Sequence, residues 1–137
     1  GLSKAIEEVT PKLMEAGAKR VMPLKVSGAF HSPFMKPAAD SLKEFLENIK
    51  LNNSGSKVFS NVTAEIHSFD SIKENLYKQM FSTVRWFDSM INMQKLGITK
   101  IFECGPGKVL TGMTKKIAPD IEAVCVFDID SLNSAIN

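Results

Sequence analysis

The strongest constraint on the fold lies in residues 100–127, KIFECGPGKVLTGMTKKIAPDIEAVCVF. An apolar run over 100–103 enters Gly105-Pro106-Gly107, a short helical pattern follows over 108–117, and EAVCVF at 122–127 reads as another strand. Strand, tight turn, helix and strand in that order describe an α/β layer with parallel strands. The alternation begins near residue 50. KVFSNVTA at 57–64 reads as a short strand and the loop after it, 71–80 and 84–96 as helices, and 131–136 as a last helical turn.

Upstream, Leu2, Ile6, Val9, Leu13 and Met14 recur at helical spacing, with Ser3 as N-cap and Gly17 as terminator. Thr10-Pro11 predicts a kink or a restart of this helix. Residues 20–26, RVMPLKV, read as a strand, and Pro23 argues for an edge or a bulge. Residues 35–49 form one amphipathic helix whose stripe includes Ala39, Leu42, Phe45, Leu46 and Ile49.

Composition narrows the class. The 137 residues suffice for one domain, with 44% hydrophobic and 23% charged residues, as in ordinary globular proteins. A net charge of +2 gives no argument for nucleic acid. Cys104 and Cys125 have neither disulfide nor metal spacing, so a reducing, cytoplasmic setting is the default. No metal is expected. No apolar run reaches membrane-spanning length, so no membrane partner is expected. The chain starts at Gly1 and enters a helix at once, which suggests a cut chain.

Chemistry concentrates in VSGAFHSPFM, residues 26–35. His31 follows the expected strand in a loop with Gly28 and Ser32, where α/β proteins place working residues. A neutral imidazole there can take a proton from a hydroxyl or thiol and return it. A half-buried histidine satisfied by backbone is the alternative. Cys104, at a strand end before a helix N-terminus, could pair with His31 as a thiol nucleophile; a small buried residue is the commoner role for such a cysteine. The serine elbow G-x-S-x-G is absent. GPGKVL resembles a phosphate cradle only weakly, and a tight strand-to-helix turn is preferred. Lys19, Arg20, Lys108, Lys115 and Lys116 could form a basic rim for an acidic protein, or a solvated face. Gln79 sits at a helix–helix corner, where it could orient a neighbour.

Four blocks, VSGAFHSPFMKPAADSL, FSNVTA, YKQMFSTVRWFDSM and FECGPGKVLTGMTKKI, resemble in order and spacing the C-terminal part of the malonyl-CoA:acyl-carrier-protein transacylases. The resemblance implies ping-pong malonyl transfer in fatty-acid biosynthesis. The malonyl group passes from malonyl-CoA to a serine, then to the phosphopantetheine thiol of acyl carrier protein, with no cofactor besides these substrates. It places the catalytic base on His31 and steers it through a backbone carbonyl or amide of the Gln79 block. Phe30 would select small extender units, Asn61 would support the site, and Lys19, Arg20, Lys115 and Lys116 would face the carrier protein. The implied fold is the C-terminal part of a hydrolase-like α/β body, residues 27–137. Residues 1–26 would be the last helix and strand of an inserted ferredoxin-like subdomain. The serine and a carboxylate-binding arginine would lie in an N-terminal half of the same protein, so the chain alone is expected to be inactive. A non-catalytic module that binds an acidic partner through its basic rim is the alternative.

Overall fold

The computed structural model describes residues 1–23 and 26–136. Helix α1, Ser3–Glu15, is followed by a short 3-10 turn, Pro33–Met35, that runs directly into α2, Lys36–Asn48. A second 3-10 turn, Phe69–Ser71, opens α3, Ile72–Lys78; α4 spans Trp86–Lys95. Then come β1, Lys100–Cys104, α5, Val109–Ile117, β2, Glu122–Val126, and α6, Ile129–Ile136. β1 and β2 pair in parallel, with Lys100 opposite Glu122 and Cys104 opposite Val126. The mixed α/β class and the parallel unit over 100–127 are as the sequence indicates.

Local chemistry explains the boundaries. Two helices end in the same way. Gly17 (φ 99°) and Gly97 (φ 79°) adopt the left-handed conformation that glycine reaches without a Cβ penalty. Beyond them, Ala18 N–H returns to Leu13 and Ile98 N–H to Met93, the double-bond closure of a Schellman motif. At the start of α5, the Glu103 carboxylate accepts the main-chain N–H groups of Leu110 (3.1 Å) and Thr111 (2.7 Å). That side chain occupies the donors a phosphate would need, so GPG is a strand-to-helix turn. Asp128 caps α6 by accepting Ser131 N–H at 2.8 Å, while Ser131 Oγ accepts Asp128 N–H at 3.0 Å.

Four expectations need correction. Pro11 does not restart α1; Ser3–Glu15 runs through it as one helix, with the Thr10 hydroxyl donating to the Ile6 carbonyl. Leu2, not Ser3, occupies the cap position, and no side chain closes it. The 57–64 segment is not a strand: a single antiparallel bridge joins Phe59 and Ile66, and Ser60 Oγ then accepts Val62 and Thr63 N–H to make a turn. In the 20–26 strand, and so in the strand expected for the inserted subdomain, Leu24 and Lys25 lie outside the described residues. The other five form no strand: Pro23 offers no N–H, and no neighbouring strand meets them among the described residues.

The core is small. Met90, Ala118 and Ile121 are fully buried, flanked by Trp86, Met93, Ile101 and Ile117. α2 buries Ala39 and Leu46 of its stripe, but Phe45 is 71% exposed. Phe87 also faces outward on α4. The accessible surface is 10348 Å², against about 7,100 Å² for a compact monomer of this mass. α1 packs on no other helix or strand among the described residues. Apolar faces on this scale are what a chain presents when its complement lies elsewhere.

Candidate active site

The His31 loop is held from both sides. Ahead of it, Gly28 has no Cβ, and one built there would meet the Phe30 ring at 3.0 Å; the ring therefore lies directly over the glycine. Behind it, Ser32 Oγ donates to the Ala29 carbonyl at 2.6 Å, and Pro33 starts the 3-10 turn into α2. His31 itself has φ 61°, a left-handed conformation uncommon outside glycine. Such strain persists where surrounding contacts over-determine it.

Those contacts come from the corner between α3 and α4. His31 N–H donates to the Met80 carbonyl at 3.0 Å. His31 Nδ1 lies 3.0 Å from the Gln79 carbonyl oxygen and 3.2 Å from that of Ser82. Carbonyl oxygens only accept, so Nδ1 carries the proton in the neutral ring. Nε2 is then the basic nitrogen. It takes no hydrogen bond among the described residues, and the side chain is exposed. The imidazole is exposed and not sealed in packing, and with Nδ1–H held on main-chain carbonyls, Nε2 is the nitrogen that can accept a proton.

The other expected site residues distribute unevenly. Gln79 acts on His31 through its main chain, and its half-buried side chain makes no hydrogen bond among those described. Asn61 is tied to the same corner, its carbonyl accepting Arg85 N–H at 2.9 Å. Arg85 Nη1 also donates to Thr63 O at 3.1 Å, and Asn92 Nδ2 to Ala64 O at 2.9 Å. These bonds fix a turn in which Ala64, fully buried, also has positive φ (59°). Lys19, Arg20, Lys115 and Lys116 are all exposed and join none of the ion pairs among the described residues. Cys104 is exposed at the end of β1, and no hydrogen bond joins it to His31. No cluster of potential metal ligands is present, and no helix is long and apolar enough to cross a membrane, among the described residues. His67 pairs with Asn75 Nδ2 at 3.0 Å, and burial pulls its pKa down.

The orienting groups on Met80 and Ser82 escaped sequence reasoning because they are main-chain carbonyls. Any residue type supplies one.

No family model matches the chain. Curated relatives do. It is 40% identical over 137 residues to the malonyl CoA-acyl carrier protein transacylase of Bacillus subtilis, covering 99% of this chain and 43% of that protein. It is 40% identical over 135 residues to that of Haemophilus influenzae, covering 98% and 43%. Among solved structures, MCAT from Streptococcus pneumoniae superposes with a TM-score of 0.90 at 36% identity, covering 97% of this chain and 44% of that one. A malonyl-transacylase solved in complex with its type II PKS acyl-carrier protein gives a TM-score of 0.90 at 38% identity, covering 97% and 43%. In class, the chain is similar in fold and sequence to the C-terminal stretch of transacylases. In family, the chain is related to the malonyl CoA-acyl carrier protein transacylases along nearly all of its own length, and it spans about 43% of theirs.

Proposed function

We propose that the chain is the C-terminal part of a malonyl-CoA:acyl-carrier-protein transacylase and supplies the general base, His31. The observation that carries this reading is the pair of carbonyls on His31 Nδ1, at 3.0 and 3.2 Å, which leaves Nε2 free for proton transfer.

The chemistry follows in two half-reactions. His31 Nε2 takes the proton of a serine hydroxyl contributed by the rest of the protein as that oxygen attacks the malonyl thioester. The C–S bond breaks, the proton passes to the departing CoA sulfur, and a malonyl-serine ester remains. In the second half, Nε2 takes the proton of the phosphopantetheine thiol. The thiolate attacks the ester, and the proton returns to the serine oxygen. Protons balance within each half, and no cofactor is needed besides the two thioester partners.

In this reading residues 27–137 belong to a hydrolase-like body and residues 1–26 to an inserted small subdomain of ferredoxin-like fold. The isolation of α1 from every other helix and strand among the described residues supports that boundary. Phe30 bounds the malonyl pocket and Asn61 holds the adjoining turn. Lys19, Arg20, Lys115 and Lys116 steer the acidic carrier protein. The cytoplasm is the compartment this chemistry implies. No observation favours the interaction-module alternative.

The test uses the intact protein. His31→Ala should lower malonyl transfer to carrier protein by several powers of ten, while the chain alone should show no transfer above buffer. A loss of less than about tenfold, or 1.4 kcal/mol, removes His31 as the base.

A further inference from the structure

The two segments that meet at His31 are joined a second time, one step away from the imidazole. Lys36 opens α2, five residues after His31; Tyr77 stands in the last turn of α3, two residues before Gln79. Asp40 Oδ1 accepts Lys36 Nζ at 2.7 Å and the Tyr77 hydroxyl at 2.8 Å, and Lys36 Nζ also meets the Tyr77 hydroxyl. Lys36 Nζ lies over the Tyr77 ring, 5.0 Å from its centre, and 5.6 Å from that of Phe81. The Tyr77 and Phe81 rings meet edge to face at 5.2 Å. Phe81 stands between Met80 and Ser82, two of the three residues whose carbonyls hold His31.

We infer that Lys36, Asp40 and Tyr77 form a clamp that positions the base, holding the 79–82 corner against the His31 loop so that Nδ1 stays on its two carbonyls and Nε2 keeps its aim. The inference rests on the reading of His31 as a proton-transfer residue. None of the three touches substrate; they act through His31. The reason a clamp is needed is local. His31 is in a left-handed conformation, a strained state that relaxes unless neighbouring contacts enforce it. An aim lost by a fraction of an ångström costs rate without costing binding. Lys36 and Asp40 are each about half exposed, so as a simple surface ion pair they would contribute little to stability. Sharing one carboxylate oxygen with a phenol gives the pair a directional task instead. The direction of the pKa shifts agrees: hydrogen bonds from Lys36 and then Tyr77 hold the Asp40 carboxyl below its ordinary value, and those to Asp40 and then Tyr77 raise that of Lys36.

A second α2–α3 tie provides the control. Lys73 Nζ donates to the Glu47 carbonyl at 3.1 Å, at the other end of the same helix pair. In the intact protein, Tyr77→Phe and Asp40→Ala should lower kcat by about three- to tenfold with KM for malonyl-CoA unchanged. Lys73→Ala should leave kcat unchanged. With histidine labelled by ¹⁵N, the His31 ring should be the Nδ1–H tautomer in the wild type and in Lys73→Ala, and a mixture of tautomers in the two clamp variants. Asp40→Glu should restore part of the rate. Unchanged kcat and an unchanged tautomer in both clamp variants overturn the inference, as does an equal loss in Lys73→Ala, which would mean that general helix packing is responsible. If His31→Ala proves harmless, the transacylase reading fails, and the tautomer comparison still decides whether the clamp orients the ring.

Discussion

The Gln79 carbonyl oxygen stands 3.0 Å from His31 Nδ1, so the group that orients the ring belongs to the main chain and not to the glutamine amide. A side-chain substitution leaves that oxygen where it is. Gln79→Ala should therefore keep malonyl transfer within about threefold of wild type, in sharp contrast to His31→Ala. Steady-state kinetics on the intact protein decide it. A loss as large as that of His31→Ala would mean that the amide, and not the carbonyl, steers the base.

That distinction marks what was legible in the sequence. The loop residues around His31, the glycine-terminated helices and the parallel unit over 100–127 were readable because each depends on residue type. Gly17 and Gly97 signal a positive φ, and Gly105-Pro106-Gly107 signals a turn. The carbonyls of Met80 and Ser82 were not readable, because an acceptor on the main chain has no letter of its own. Residues 57–64 were misread for a related reason. Val58, Phe59 and Val62 suit a strand, but Ser60 turns its hydroxyl onto the chain's own N–H groups and diverts the backbone. Pro11 does not restart α1 because its missing N–H falls within a helix that buries nothing, where water can replace the lost bond.

Two glycines should respond to the same substitution with opposite sign. Gly97 has φ 79° and nothing within 4 Å of a built Cβ, so Gly97→Ala clashes with no neighbour and still destabilises by about 1 kcal/mol through backbone strain. Gly112 lies inside α5 with similar open space and no positive φ. Gly112→Ala should stabilise by about 0.5–1 kcal/mol, because alanine has the smaller entropy to lose. Urea unfolding of the two variants in the intact protein measures both. Equal shifts would mean that the Gly97 backbone is not left-handed.

The cap of α6 should be sensitive to acid. The Ser131 hydroxyl and main-chain N–H hold the Asp128 carboxyl below its ordinary value of 3.8. A depressed carboxyl stabilises the fold fully above 3.8, and its contribution fades as pH falls through the lowered folded value. Asp128→Asn still accepts Ser131 N–H but does not titrate. Exchange protection of the Ser131 amide, compared between wild type and Asp128→Asn, should favour wild type at neutral pH and converge in acid. A difference independent of pH would assign the cap to geometry alone.

The last prediction concerns the size of the acyl group. The Phe30 ring covers Gly28 so closely that a methyl added at Gly28 would meet it at 3.0 Å. The ring is also half exposed, at 51%, on the residue that precedes His31. In the proposed reading that ring would fill the volume an α-methyl on the malonyl group needs. Phe30→Ala should thus raise transfer of methylmalonyl relative to malonyl by an amount worth about 1–3 kcal/mol, the usual range for one methyl group in a packed pocket. Gly28→Ala should act in the same direction with the phenyl still present, because the new methyl pushes the ring off its seat. Competition between malonyl-CoA and methylmalonyl-CoA for the two variants gives the ratio directly. A ratio unchanged in both would place the acyl chain away from Phe30, and would leave the ring as cover for the Gly28 backbone with no part in choosing the substrate.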